Sequence, residues 1–182
     1  MLKTLAVIAV VVAVIVAGIL IYATTKPDSF TVKRSASIKA PPDRLYALIS
    51  DFHGWGAWSP YEKKDPDMKR TFSGAGQGKG AIYEWDGNKN VGTGRMEIIE
   101  ATAPSKIVIK LDFLKPFEGH NTAEFTFDPP GNNTGDNTTV TWAMYGPSSF
   151  IFKVMGMFMN MDKMIGDDFA VGLANLKAVA EK

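Results

Sequence analysis

The spacing of hydrophobic and polar positions changes character twice along this chain of 182 residues. Leu5 to Tyr22, LAVIAVVVAVIVAGILIY, is apolar on every side and carries no charge. About 18 such residues span roughly 27 Å as a helix, close to the hydrocarbon thickness of a bilayer. A single N-terminal transmembrane helix is the expectation, with residues 1–27 as anchor and linker and 28–182 as one domain. A cleaved signal peptide competes, with Ile21 and Ala23 as a weak small-residue site, but its apolar core is usually shorter, about 7–15 residues. A core helix of a soluble domain is disfavoured, because the run is apolar on all sides. Lys3 favours a cytoplasmic N-terminus while Lys26, Lys33 and Arg34 oppose it, and the balance leans to an extracytoplasmic domain.

After this run the period becomes two. Phe30, Val32, Arg34, Ala36 and Ile38 alternate with polar residues, which reads as a first strand with one buried face. Ala40-Pro41-Pro42-Asp43 ends it and opens a short helix carrying Leu45, Leu48, Ile49 and Phe52. The helix fades into a turn-rich segment, His53 to Pro60, holding Trp55 and Trp58. Six further strands follow, at 68–73, 81–86, 91–101, 106–113, 122–127 and 138–145. Gly74 to Gly80 lacks the Gly-Lys-Ser/Thr ending of a phosphate loop and reads as a hairpin. Asp128 to Asn137 reads as an exposed loop. From Met161 to Lys182 the period becomes 3.6: Ile165, Phe169, Leu173, Leu176 and Val179 form one face of a helix roughly 30 Å long. The fold class is α+β, with a curved antiparallel sheet of about six to seven strands wrapped around a long C-terminal helix and preceded by the transmembrane helix.

Composition narrows the chemistry. Net charge is +1, so no broad basic field suggests nucleic acid. The chain has no cysteine and two histidines, His53 and His120. That removes disulfides and thiolate chemistry and leaves no basis for a histidine-built metal site. Glu84, Glu97, Glu124 and His120 alternate with inward residues and should face water. Asp167 and Asp168 diverge by about 100° on their helix and cannot act as a pair. No catalytic residue, metal or cofactor is assigned. Asn132-Asn-Thr and Asn137-Thr-Thr match glycan acceptors, a pattern common by chance.

Four stretches carry a family resemblance. They are Pro42-Asp43-Arg44-Leu45-Tyr46 with Trp58-Ser59-Pro60, then Gly80-Ala-Ile-Tyr-Glu-Trp, then Gly92-Thr-Gly94-Arg-Met, and finally Phe169-Ala-Val-Gly-Leu-Ala-Asn-Leu-Lys177. Residues from about 29 to 182 resemble the SRPBCC superfamily, the START-like or polyketide cyclase/dehydrase group with a helix-grip fold. The resemblance implies a deep cavity between the sheet and the last helix, able to hold lipids, polyketides or other apolar molecules. Parity supplies a candidate lining: Tyr83, Trp85, Met96, Ile98, Ile109, Leu111, Phe113, Phe125, Phe127, Trp142 and Met144 from the sheet, and Ile165, Phe169 and Leu173 from the helix. Wide aromatics, methionines and the missing side chain of Gly172 argue for space, and Tyr83 and Trp85 offer polar tips to a guest. The apolar run from Phe150 to Met161 is either core, a lid, or a surface that dips into the bilayer.

Three functions fit: a membrane-tethered binder of a hydrophobic small molecule or lipid, an enzyme of cyclase or dehydratase type, and an envelope interaction module with a collapsed pocket. An enzyme needs a proton-transfer group facing the cavity. Tyr83 alone qualifies, and a phenol with a pKa near 10 is a poor base.

Overall fold

The computed structural model describes residues 1–129 and 137–182. The apolar run forms α1 (Leu2–Thr24), one helix long and apolar enough to cross a membrane. Its side chains are exposed along nearly the whole length; among the described ones only Ile19 and Ala23 tuck inward, where the last turns meet a later helix.

Seven strands follow the expected alternation: β1 (Ser29–Lys39), β2 (Lys69–Gly74), β3 (Ala81–Asp86), β4 (Thr93–Thr102), β5 (Lys106–Lys115), β6 (Gly119–Asp128) and β7 (Asn137–Pro147). They form one open antiparallel sheet in the order β1-β7-β6-β5-β4-β3-β2. Strands β2 to β7 are a meander, and β1 returns to pair along its whole length with β7, from Ser29 opposite Pro147 to Lys39 opposite Asn137. Glycine is required at the β2–β3 hairpin: Gly74 has φ +73°, and a Cβ there would lie 2.1 Å from the Gly80 carbonyl oxygen. A bulge between Ile98 and Glu100 in β4 keeps Ile98 inside and turns Ile99 to solvent.

Between β1 and β2 lie α2 (Pro42–Ser50), a 3-10 turn (Phe52–Ala57) and α3 (Pro60–Lys64). After β7 come α4 (Phe150–Met155) and α5 (Met161–Ala180). Proline opens both α2 and α3, where its missing N–H costs nothing. Asn160 caps α5, its side chain accepting from the Lys163 N–H at 2.8 Å.

The sheet and its long C-terminal helix form the expected helix-grip arrangement. Helix α5 packs on β1 and β7 and against α3 and the 3-10 turn, with Phe169 stacked on Trp142. Helix α2 lies on β5 and β6, and the 3-10 turn meets β3. The acceptor pattern at Asn132 falls outside the described residues. That at Asn137 starts β7, where Thr138 is fully buried and donates to the Ala40 carbonyl at 2.7 Å.

Candidate functional site

The inward parity was read correctly from the sequence. Tyr83, Trp85, Met96, Ile98, Ile109, Leu111, Phe125, Phe127, Trp142, Met144, Phe169 and Leu173 are buried, and Phe113 and Ile165 are half-buried against them. They belong to one contiguous packed core, spread along the sheet. Trp142 is stacked on Phe169 of α5, ring centroids 4.1 Å apart and planes within 9°. Phe125 also stacks on Trp142, at 5.0 Å. Trp85 sits at the far end of the sheet, edge-on to Phe113 at 5.9 Å and beside Tyr83 at 6.1 Å. It lies over Gly94, whose Cβ would come within 2.3 Å of the indole. Phe127 meets Tyr46 of α2 at 6.0 Å, and Ile165 lines a groove at the sheet edge.

What fills the middle is the segment read from sequence as a turn. Trp58 is fully buried and lies edge-on to both Trp142, at 5.7 Å, and Phe125, at 6.1 Å. Trp55 packs at 4.8 Å from Trp58 and donates its indole N–H to the Ile49 carbonyl at 2.9 Å. Asn175 of α5 holds the Trp58 carbonyl at 3.0 Å. Two tryptophans among residues that favour turns were the available signal, since such large apolar surfaces are rarely left in water.

Two expectations are corrected by this geometry. Gly172 does not leave room for a guest: a Cβ there would lie 2.7 Å from the Trp142 ring and 3.0 Å from Pro60 Cδ, so the protein's own side chains occupy the space. Nor do Tyr83 and Trp85 present free polar tips. The Tyr83 hydroxyl donates to Glu62 Oε1 at 2.6 Å, and Trp85 Nε1 donates to the Val91 carbonyl at 3.0 Å. The buried indole N–H groups with no acceptor among the described residues are those of Trp58 and Trp142.

The Tyr83 contact belongs to a cluster that sequence spacing could not assemble. Glu62 of α3 accepts from Tyr83 on one oxygen and from Arg70 Nε, at 2.7 Å, on the other. Arg70 also donates to the carbonyls of Met68 at 2.7 Å and Pro66 at 3.1 Å. Burial, and then the hydrogen bond to the Glu62 carboxylate, hold the Tyr83 phenol far above its ordinary range, with Arg70 opposing weakly. Tyr83 is therefore a committed donor and not a base. A cleft of about 340 Å³ opens beside this cluster, walled by Phe52, His53, Phe72 and Lys63 among others. His53 stacks on Phe72 at 4.3 Å, and its Nδ1 lies 2.9 Å from Asp51 Oδ1. With every Glu62 oxygen engaged and Arg70 spent on backbone carbonyls, the cluster braces α3 against β2 and β3. Among the described residues no group of three or more metal-ligating side chains converges.

At the opposite corner the chain leaves α1 and enters β1. Here a groove of about 270 Å³ is walled by Phe30, Val32, Phe152, Met161 and Ile165, with Lys26, Lys153 and Asp162 at its rim. Around it the Phe150–Met161 run lies on the surface: Phe150, Ile151, Phe158 and Met159 are exposed, Phe158 at 70%. Helix α4 packs against α1, so this apolar collar adjoins the apolar helix. Of the three readings of the run, burial in the core is excluded for these residues.

Residues 29–181 match the family model described as polyketide cyclase / dehydrase and lipid transport. The chain belongs to this family. Its SRPBCC-type, helix-grip-like fold recurs in solved structures of low identity. A Thermobifida fusca protein has a TM-score of 0.58 at 20% identity, over 81% of this chain and 90% of that one. Protein MLL2253 from Mesorhizobium loti has a TM-score of 0.59 at 15% identity, over 84% and 97%. The di-domain ARO/CYC StfQ from the steffimycin biosynthetic pathway has a TM-score of 0.57 at 13% identity, over 84% of this chain and 51% of its own length. At these identities the likeness shows the fold alone. No curated protein sequence matches the chain.

Proposed function

We propose that residues 1–27 anchor this family member in a membrane as a single-pass helix, and that residues 28–182 bind a hydrophobic small molecule or lipid drawn from that membrane. The domain would lie on the extracytoplasmic side. The observation that carries the reading is the continuity of α1 with the exposed collar of Phe150, Ile151, Phe158 and Met159, two lipophilic surfaces that water alone would penalise. A family described by lipid transport supports the same direction.

A guest between the sheet and α5 has to part rings now in contact. Each wide aromatic buries about 150–250 Å², so exposing one costs about 4–6 kcal/mol at 25 cal/mol per Å². An apolar guest that takes the place of Trp58 or Trp142 restores that burial, and one with an acceptor oxygen also satisfies their unpaired N–H groups. The lining on opening would be the inward residues from Tyr83 to Leu173 named above. The closed Trp142–Phe169 stack favours a second reading, an interaction module whose interior stays solid.

Native mass spectrometry of the full chain, released from detergent before any delipidation, separates the two. A retained apolar mass supports the binder, and its consistent absence supports the module. Membrane contact by the collar is tested on residues 29–182 alone. Replacing Phe150 and Phe158 with Ser should weaken liposome binding several-fold; unchanged binding removes the collar from the argument.

A further inference from the structure

The groove beside α1 is separate from the sheet interior, and its position and rim chemistry specify an occupant. Its walls are the apolar side chains of Phe30 and Val32 on β1, Phe152 on α4, and Met161 and Ile165 on α5. It begins at Lys26 and Pro27, immediately after the last turn of α1, so a helix spanning the bilayer places this groove at the lipid headgroup level. Two ammonium groups stand at the rim. Lys26 touches the Tyr22 hydroxyl at 3.0 Å and makes no ion pair among the described residues. Lys153 is 9% exposed, while its carboxylate partner Asp28 is 98% exposed. An incoming anion can displace Asp28 at small cost, because that carboxylate is already hydrated. Arg34 is not available, its guanidinium being held on Asp162 at 3.0 Å and on the Lys33 carbonyl at 2.7 Å.

We propose that this groove takes an acyl chain of an anionic phospholipid from the adjoining leaflet, with the lipid phosphate between Lys26 and Lys153. At about 270 Å³ the groove is below the usual size of a site that engulfs a whole small molecule. It suits part of one chain from a lipid whose remainder stays in the bilayer. The inference rests on α1 being a membrane anchor.

The test uses the full chain in vesicles of phosphatidylglycerol and phosphatidylcholine, each in turn carrying a photoreactive diazirine in one acyl chain, with labelled peptides mapped by mass spectrometry. The phosphatidylglycerol probe should label α1 and also Phe152, Met161 or Ile165. Lys26→Gln should lower groove labelling roughly fivefold, the size expected for one cation near an anionic surface, and Lys153→Gln should lower it further. Trp142→Phe, in the interior, should leave it unchanged. Labelling confined to α1 overturns the groove while leaving the anchor standing. Labelling that spares α1 as well overturns the anchor reading itself. Equal groove labelling by the phosphatidylcholine probe, or indifference to both lysine variants, overturns the phosphate contact. Label on Met96 or Met144 with none in the groove overturns this site in favour of the interior one.

Discussion

Replacing Gly172 with Ala asks directly whether the face of α5 toward the sheet is solid. In a helix interior, alanine is favoured over glycine by about 0.8–1.0 kcal/mol, because glycine loses more backbone freedom on folding. If Gly172 bordered an open space, the new methyl would meet nothing and the substitution would stabilise the protein by that amount. The structure gives the opposite sign. The added Cβ would stand 2.7 Å from the Trp142 ring and 3.0 Å from Pro60 Cδ. Ordinary contact requires the indole to retreat by several tenths of an ångström. It cannot do so freely, because Phe125 stacks on it at 5.0 Å, Phe169 at 4.1 Å, and Trp58 blocks its edge at 5.7 Å. Overpacking of this kind costs about 1–3 kcal/mol. Set against the helix gain, the expected net loss is about 1 kcal/mol.

For a chain of this size 1 kcal/mol moves Tm by about 2–4 °C. Thermal unfolding of the full chain in detergent, followed by near-ultraviolet circular dichroism, reads the aromatic cluster directly. The expected result is a fall in Tm of a few degrees with a changed tryptophan signal. A rise of a few degrees with the signal intact would refute the packing argument and restore the open pocket expected from the sequence.

Two further predictions concern polar clusters. Glu62→Gln keeps the size of the side chain but leaves Arg70 facing a neutral partner in a site where Glu62 is only 9% exposed. It should destabilise by about 2–3 kcal/mol, less than a fully buried pair because Arg70 retains partial solvent contact, whereas Tyr83→Phe should cost about 1–2 kcal/mol for one lost hydrogen bond; chemical denaturation checks both, and a larger loss for Tyr83→Phe would reverse the assigned roles. On the outer face of the sheet, the hydrogen bond from His120 Nδ1 to Asp112, at 2.8 Å, raises the histidine pKa above its ordinary 6.5, against some desolvation. The stabilisation this gives is full below the unfolded pKa and fades as pH rises through the folded one. Burial tends to raise the Asp112 pKa, but hydrogen bonds from His120 and Lys110 lower it overall, so its share is present above the ordinary carboxylate pKa and lost as pH falls through its lowered value. NMR titration of His120 should therefore show a pKa above 6.5 that falls in Asp112→Asn, with Glu118 at 3.3 Å retaining a smaller part of the rise; an ordinary pKa in the unmodified chain removes the interaction.

The sheet was legible because period two is a strong signal and every strand but the edge strand β2 presents a buried apolar face. Ile107, Ile109 and Leu111, or Phe125 and Phe127, cannot be placed on the wrong side without exposing the whole set. The long helix was legible for the same reason at period 3.6. The β1–β7 pairing, which closes the meander, was not legible, since no local pattern records which distant edge a first strand will join. The candidate site was legible only in parity. Knowing that Trp85, Trp142 and Phe169 all face inward does not tell whether they share a space, because that depends on what else enters it. Trp55 and Trp58 enter it, from a segment whose two glycines and one proline mask two of the largest apolar surfaces in the chain. Glu62 is a second case: it reads as a surface residue of a short helix until Tyr83 and Arg70 arrive from β3 and β2.

The same packing argument links the interior to the surface. In the closed state, with Trp142 stacked on Phe169, the interior itself does not call for an apolar rim. Yet Phe150, Ile151, Phe158 and Met159 remain exposed, at 47%, 44%, 70% and 44%. Exposed side chains of this size, clustered beside a helix that is itself unburied, lose free energy in water that the domain recovers nowhere else. They are accounted for if α1 and α4 share one apolar medium, and that medium places Lys26 and Lys153 at its boundary. The interior tryptophans and the collar thus answer separate questions. The first bears on whether a molecule can be enclosed, the second on the proposed contact with lipid, and a variant in one should leave the other unaltered.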